Sequence, residues 1–130
     1  MNLIIDTSAL LAVLLNEESK SAILKNTKGQ NLIAPESIDA EIGNALSAMF
    51  KIKRINLNKA KRVINQFELI PIRKTVLELE ESIQLCKELN IYAYDAYMLN
   101  CCLKYNAPLL SLDQTLLNQA KIVGIKILEV

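Results

Sequence analysis

Histidine is absent from this chain of 130 residues. Its absence removes Ser-His-Asp and Cys-His catalysis, imidazole metal sites and histidine-based proton transfer. Any hydrolytic chemistry must use carboxylates, lysine, tyrosine or a bound metal. Glycine and proline are scarce, three of each, against 52% hydrophobic residues, so a compact chain with little disorder is expected. The three cysteines (Cys86, Cys101 and Cys102) are odd in number and lack C-x-x-C spacing. They indicate neither a disulfide framework nor zinc, and read as small apolar core residues in a reducing cytosol. Charge of one sign is not in excess: the net value is +1, which argues against a whole-surface electrostatic partner. No apolar run approaches the roughly 20 residues of a membrane span. The opening segment lacks a basic n-region and a small-residue cleavage site, and carries Asp6 within its apolar stretch, unlike a signal peptide. A cytoplasmic protein without a membrane partner is expected.

The chain is organised around its first fifteen residues. Leu3-Ile4-Ile5 reads as a strand buried on both faces, ending abruptly at Asp6. Thr7 or Ser8 then caps a helix that starts at once. A strand running straight into a helix places Asp6 at the carboxyl edge of a sheet, where open α/β folds keep their ligand sites. Taken alone, Asp6 is better explained as a helix cap or a strand end, and it becomes a site only if other acids converge on the same edge.

A second helix is expected over residues 17–27 and a second strand over 31–34. Residues 35–51 follow as a helix with Ile38, Ile42, Ala45, Leu46 and Met49 on one stripe. Six of the fifteen basic side chains (Lys51, Lys53, Arg54, Lys59, Lys61 and Arg62) then fall within residues 51–62, with no acid among them. Asn56 and Asn58 suggest a helix break there, giving a helical hairpin with a basic tip. An ordinary solvated turn accounts for the same residues equally well. Residues 67–72 read as a third strand, and 75–90 as a helix with Val76, Leu79, Ile83 and Cys86 on its apolar stripe. A helix from Ala93 to Tyr105 stops at Asn106. Pro108 opens a fourth strand over 109–112, Asp113 caps a last helix ending at Gly124, and residues 125–130 form a fifth strand. Alternating strands and helices imply a single α/β domain over residues 1–130, three layers deep, with a mostly parallel five-stranded sheet.

That topology makes a geometric claim. Helices that descend antiparallel to the strands begin at the carboxyl edge, so Asp95, in the first turn of one, lies there. Asp6 and Asp113 follow their strands directly. Glu41 sits about 9 Å below the start of its helix, a distance its longer side chain partly recovers. Asp6, Asp95 and Asp113 each have a capping or dipole role available; Glu41 has none. Carboxylates about 6 Å apart repel by roughly 3 kcal/mol per pair at an effective dielectric near 20. Hard cations with oxygen ligands, Mg²⁺ or Mn²⁺, are the natural counter-charge, and would activate water for a chain that has no histidine.

At these residues the sequence resembles a PIN domain, specifically the small VapC-type toxins of VapBC toxin–antitoxin systems. The carriers are IIDTSALLAVLL at the opening, EIGNAL at 41–46, YDAYML at 94–99 and LLSLDQTL at 109–116. The resemblance implies metal-dependent endoribonuclease activity, with Asp6, Glu41, Asp95 and Asp113 as the catalytic and metal-binding quartet. By position Thr7, Ser8, Asn44 and Ser111 match supporting residues. It further implies an RNA substrate, an antitoxin partner and a homodimer, and it raises the basic segment from Lys51 to Arg62 as an RNA or partner contact. Tyr92, Tyr94, Tyr97 and Tyr105 cluster near Asp95, where core packing is expected for most of them and base stacking is the other reading.

Rival α/β enzymes fail on residues. A receiver-type phosphoacceptor needs paired acids after its first strand, and a haloacid-dehalogenase-type phosphatase needs Asp-x-Asp; here Asp6-Thr7-Ser8 stands in that place. The remaining alternatives are an RNA-maturation or quality-control nuclease, and a non-catalytic nucleic-acid or protein-binding module.

Overall fold

The computed structural model describes residues 1–130. Its elements in chain order are β1 (Asn2–Ile5), α1 (Thr7–Leu14), α2 (Lys20–Thr27), β2 (Asn31–Pro35), α3 (Ile38–Lys51), α4 (Leu57–Leu69), β3 (Ile72–Thr75), α5 (Leu79–Leu89), α6 (Ala93–Tyr105), β4 (Leu109–Leu110) and α7 (Gln114–Ile122). All strand pairs are parallel, in the order β3-β2-β1-β4.

That order locates the site. The chain steps from β1 to β2 to β3 in one direction, then returns across the sheet to β4. Right-handed crossovers put α1–α4 on one face and the α5–α6 pair on the other; accordingly α1 touches α3 and α4, while α6 touches β1 and β2. The crossovers diverge between β1 and β4, and their carboxyl ends form the crevice where doubly wound sheets bind ligands. The central strand β1 is apolar because both its faces are covered: Leu3, Ile4 and Ile5 are fully buried, with Leu109 and Leu110 beside them.

Three expectations about the elements are corrected. The sheet has four strands, not five: residues 125–130 touch β4 only through a bridge between Leu109 and Ile127. Two hydrogen bonds hold it, Leu109 N–H to the Lys126 carbonyl and Leu128 N–H to the Leu109 carbonyl, both 2.9 Å. β4 offers no longer ladder, because beyond Leu110 its residues turn to bind Asp6 and Ser8 and to cap α7.

The third strand is displaced from 67–72 to Ile72–Thr75. Phe67 belongs to α4, whose buried face is Ala60, Val63 and Phe67, a helical spacing. Pro71 forces the preceding Ile70 into extended backbone, and the helix stops there.

The helix expected from Thr75 begins only at Leu79, and of its expected apolar stripe only Cys86 packs against the core. Val76, Leu79 and Ile83 are exposed, whereas Ser82 and Leu85 are buried. α5 packs against α6 rather than on the sheet. Glu78, at its start, accepts a hydrogen bond from Asn100 at 2.9 Å and pairs with Lys104 at 3.0 Å, near the end of α6. The two helices are therefore antiparallel: α5 climbs back to the carboxyl edge, and α6 descends from it.

Candidate active site

Asp6 ends β1 and is also the N-cap of α1, in place of Thr7 or Ser8: its Oδ1 accepts from Ala9 N–H at 3.0 Å. It is 5% exposed. Ser8 Oγ lies 2.7 Å and 3.0 Å from its two oxygens, and Ser111 Oγ donates to Oδ2. Both hydroxyls also accept, Ser8 from Leu112 N–H and Ser111 from Asp113 N–H, each at 2.9 Å. A hydroxyl has one proton and two lone pairs, so each serine spends its proton on Asp6 and its acceptor on the loop after β4. Strand ends β1 and β4 are thereby tied together. Burial nevertheless raises the Asp6 pKa, with the hydrogen bonds from Ser111, Ala9 and Ser8 opposing it and Asp113 adding to the rise.

Glu41 lies in the first turn of α3, higher than expected, because residues 35–37 are strand end and turn and the helix starts at Ile38. Its oxygens accept from Thr7 Oγ1 at 3.3 Å and Ser37 Oγ at 3.2 Å. Desolvation pushes its pKa up to about 7, against both hydrogen bonds and with help from the charges of Asp6 and Asp95. Asp95 occupies the first turn of α6, and its pKa is raised by burial and by Asp113. Asp113 caps α7, its Oδ1 accepting from Thr115 N–H at 3.0 Å and Leu116 N–H at 3.2 Å.

All four carboxylic residues line one cavity of about 290 Å³, together with Thr7, Ser8 and apolar walls that include Leu11 and Met98. No lysine or arginine pairs with any of them. The chain's two ion pairs, Lys74 with Asp39 and Lys104 with Glu78, lie elsewhere. A larger cavity of about 490 Å³, lined by Asn2, Gln30 and Arg73 among others, sits at the opposite end of the strands and contains no acid.

The donor set suits a hard cation, being oxygen only. No three acidic residues stand close enough to enclose an ion by themselves. Mg²⁺ requires no such cage, since it keeps several waters and takes one or two carboxylates with substrate phosphate. The arrangement is a set of carboxylates around a space, Asp6, Glu41 and Asp113 oriented by hydroxyls or amides and Asp95 free of such partners, and it can hold a hydrated divalent ion against a phosphate.

Other residues from the sequence fall differently. Thr7, Ser8 and Ser111 hold the acids as just described. Asn44 is exposed on α3, and neither lines the cavity nor hydrogen-bonds to an acid. Lys51, Lys53, Arg54, Lys59, Lys61 and Arg62 are all exposed around the turn between α3 and α4. Ten residues of helix separate Glu41 from Lys51, about 15 Å, so this basic tip stands away from the acids. Ser37 escaped the sequence reading. It occupies the N-cap position of α3 but makes no capping bond; its hydroxyl goes to Glu41. The i, i+4 spacing from Ser37 to Glu41 was the available signal.

The fold is shared with known structures. VapBC2 from Rickettsia felis, bound to a DNA fragment from their promoter, superposes with a TM-score of 0.70 at 16% identity, covering 99% of this chain and 98% of that one. PAE2754 from Pyrobaculum aerophilum gives 0.68 at 20% identity, over 98% and 83%. Mycobacterium tuberculosis VapC20, a sarcin-ricin loop cleaving toxin, gives 0.68 at 12% identity, over 98% and 99%. At these identities the likeness is one of fold. No curated protein matches the chain in sequence. The model of the PIN domain matches residues 3–122, and this chain belongs to the PIN domain family.

Proposed function

We propose that this protein is a Mg²⁺- or Mn²⁺-dependent endoribonuclease that hydrolyses RNA phosphodiester bonds, and that it acts as the toxin of a toxin–antitoxin pair. PIN domains are generally nucleases. The observation that carries the reading is the convergence of Asp6, Glu41, Asp95 and Asp113, from four separate elements, on one cavity without a basic partner. Such a cluster is unfavourable in the folded chain, and is explained when a cation and a phosphate meet there.

In this reading the quartet Asp6, Glu41, Asp95 and Asp113 would hold a hydrated ion, one or two carboxylates directly and the others through its waters. A divalent ion bound there would supply charge neutralisation at the phosphate and a lower pKa for coordinated water. The serine pair keeps Asp6 in one rotamer, so its oxygens need no reorganisation when substrate arrives. Glu41, held by Ser37 and Thr7 at the same cavity, would take up a proton from the attacking water. The water oxygen forms a bond to phosphorus as the opposite P–O bond breaks, and the leaving oxygen is protonated from solvent.

The basic tip from Lys51 to Arg62 serves as a sequence-neutral contact to RNA phosphate or to a partner. The VapBC2 likeness supports an antitoxin partner and the VapC20 likeness an RNA target; a homodimer acting in the cytoplasm belongs to the same toxin reading. No helix is long and apolar enough to cross a membrane. A second reading, a PIN-fold binding module with structural acids, draws on the capping bonds of Asp6 and Asp113 and on the absence of a closed acid cage. Incubating purified protein with a mixed-sequence RNA panel in Mg²⁺, Mn²⁺ or EDTA, beside Asp95→Asn, separates the two. Metal-dependent cutting that the folded variant lacks supports the nuclease; no cutting under any metal favours the module.

A further inference from the structure

The larger cavity at the amino ends of the strands, about 490 Å³, lies well within the size range of small-ligand sites. Among its lining residues is Gln30, whose side-chain oxygen Oε1 is buried and accepts no hydrogen bond. No other buried side-chain polar atom of the chain is left in that state. Folded proteins pair their buried polar groups, because an unpaired acceptor costs stability. The backbone fixes Gln30 in place: its N–H donates to the Thr27 carbonyl at 3.0 Å, across the turn at Gly29, where φ is 76°. Beside it, Asn2 and Asn31 are register partners at the starts of β1 and β2, and Asn31 Nδ2 donates to Asn2 Oδ1 at 3.4 Å. Neither the Asn2 amino group nor the Asn31 side-chain oxygen has a partner within the chain.

The rest of the lining adds a cation and an apolar surface. Arg73 is exposed, pairs with no acid, and holds its guanidinium 5.3 Å from the centre of the Tyr105 ring. Leu32 and Ile72 are opposite each other in the β2–β3 register, and both are only half-buried. An acceptor in need of a donor, two amides, an unpaired guanidinium and an apolar pair together select a ligand. A sugar would meet the amides but neither Arg73 nor the apolar pair. An inorganic anion would meet Arg73 alone. A nucleotide carries every complement. The edge of its base presents the N–H donors and ring acceptors that asparagine and glutamine amides match. Its base has a flat face for the apolar pair, and its phosphate suits a guanidinium. We infer that this cavity binds a nucleotide, with Gln30, Asn2 and Asn31 on the base edge and Arg73 on the phosphate. Asn2 and Asp6 lie at opposite ends of the central strand, about 13 Å apart at the usual rise, so the site is separate from the acid cavity. The same chemistry arrives as a free mononucleotide or as one nucleotide of a longer RNA.

The test titrates the whole ¹⁵N-labelled chain in EDTA, where no metal can draw phosphate to the acid cavity. The probes are the four nucleoside monophosphates, adenosine, inorganic phosphate and a short RNA. A monophosphate is expected to shift the side-chain amide signals of Gln30 and Asn31, and AMP should bind about tenfold tighter than adenosine, the scale of one charge-assisted contact. Arg73→Ala should bring AMP down to the adenosine level and leave adenosine unchanged. Gln30→Leu should weaken both about tenfold while melting no lower than wild type, because it removes the unpaired oxygen. RNA that binds at Gln30 more tightly than any monophosphate identifies a strand as the source; the reverse order identifies a free nucleotide. Silent Gln30 and Asn31 signals with every nucleotide and RNA would show that solvent alone fills the cavity, and would overturn the inference. Inorganic phosphate binding as well as AMP would reduce the site to an anion contact and overturn it equally. Cleavage of RNA in Mn²⁺ is measured separately, so this site and the nuclease reading fail or stand independently.

Discussion

Ser37 Oγ donates to Glu41 Oε2 at 3.2 Å, from one helical turn earlier on α3. The bond matters because Glu41 sits where burial and two neighbouring carboxylates all favour its protonated form. Ser37 and Thr7 are the groups that oppose them. Ser37→Ala should therefore move the Glu41 pKa further up and weaken Mn²⁺ binding at pH 7, by about tenfold for a hydrogen bond to a charged group. Ser37→Thr should recover most of the loss. Calorimetric Mn²⁺ titration at several pH values reads the effect directly, and equal affinities at pH 7 would reject it.

Protonation near neutrality gives the ion-free protein an unusual pH dependence. Glu41 rises from its ordinary 4.5 to about 7, and the pKa values of Asp6 and Asp95 are raised as well. Between those values the folded chain binds more protons than the unfolded one, so stability falls as pH rises. The Glu41 contribution is full below pH 4.5 and is lost by about pH 7, a change of at most about 3 kcal/mol. Melting in EDTA should thus drop between pH 5 and pH 8, and saturating Mn²⁺ should reverse the trend by competing with the protons.

Neutralising Asp95 separates stability from activity. Its charge is half-buried, has no ionic partner, and faces Asp113. Asp95→Asn should raise the ion-free melting temperature by a few degrees, the shift that about 1 kcal/mol produces in a domain of this size. RNA cleavage should vanish in the same variant. A lower melting temperature with cleavage intact would show that Asp95 is structural.

Asp6 is expected to behave in the opposite way. It caps α1 and receives the protons of two serines. Asp6→Ala removes the cap, about 1 kcal/mol, and leaves both hydroxyls without their acceptor at a buried site. Urea unfolding should report a loss of roughly 2–4 kcal/mol in ion-free protein, whatever the effect on activity.

Reversing Lys53 and Arg54 to glutamate tests the basic tip. Both are exposed and outside any ion pair, so stability should stay within about 0.5 kcal/mol. RNA binding should weaken for all sequences alike, and the slope of log affinity against log salt should fall by about one for each phosphate no longer neutralised. An unchanged slope would assign the tip to a partner or to solvent.

Local chemistry alone determined several features here. The apolar Leu3-Ile4-Ile5 run can only be a strand covered on both faces, and Asp6 after it lies at a sheet edge in any parallel arrangement. Asn56, Asn106 and Asp113 end or begin helices for reasons internal to a few residues: two side chains cap exposed amides, and Asn106 tolerates a left-handed backbone, at φ 46°. Chain order and parallel pairing were enough to send Asp6, Asp95 and Asp113 to one edge.

What the chain could not settle by itself depended on which neighbour each residue meets. Leu79 and Ile83 have correct helical spacing yet face solvent, because α5 packs against α6 and buries Ser82 and Leu85 instead, and Val76 stands exposed before the helix begins. Phe67 is as apolar as a strand residue, and becomes helical because α4 continues until Pro71 stops it. The fifth strand shrinks to one bridge because Ser111, Leu112 and Asp113 are drawn into the site. Beyond its spacing from Glu41, Ser37 gives no sign of its role in the sequence, and only the packed start of α3 brings Glu41 under its hydroxyl. Periodicity records how a side chain points from its own helix; only the packed structure decides what stands opposite, and at this site the opposing groups set both the charge and the geometry.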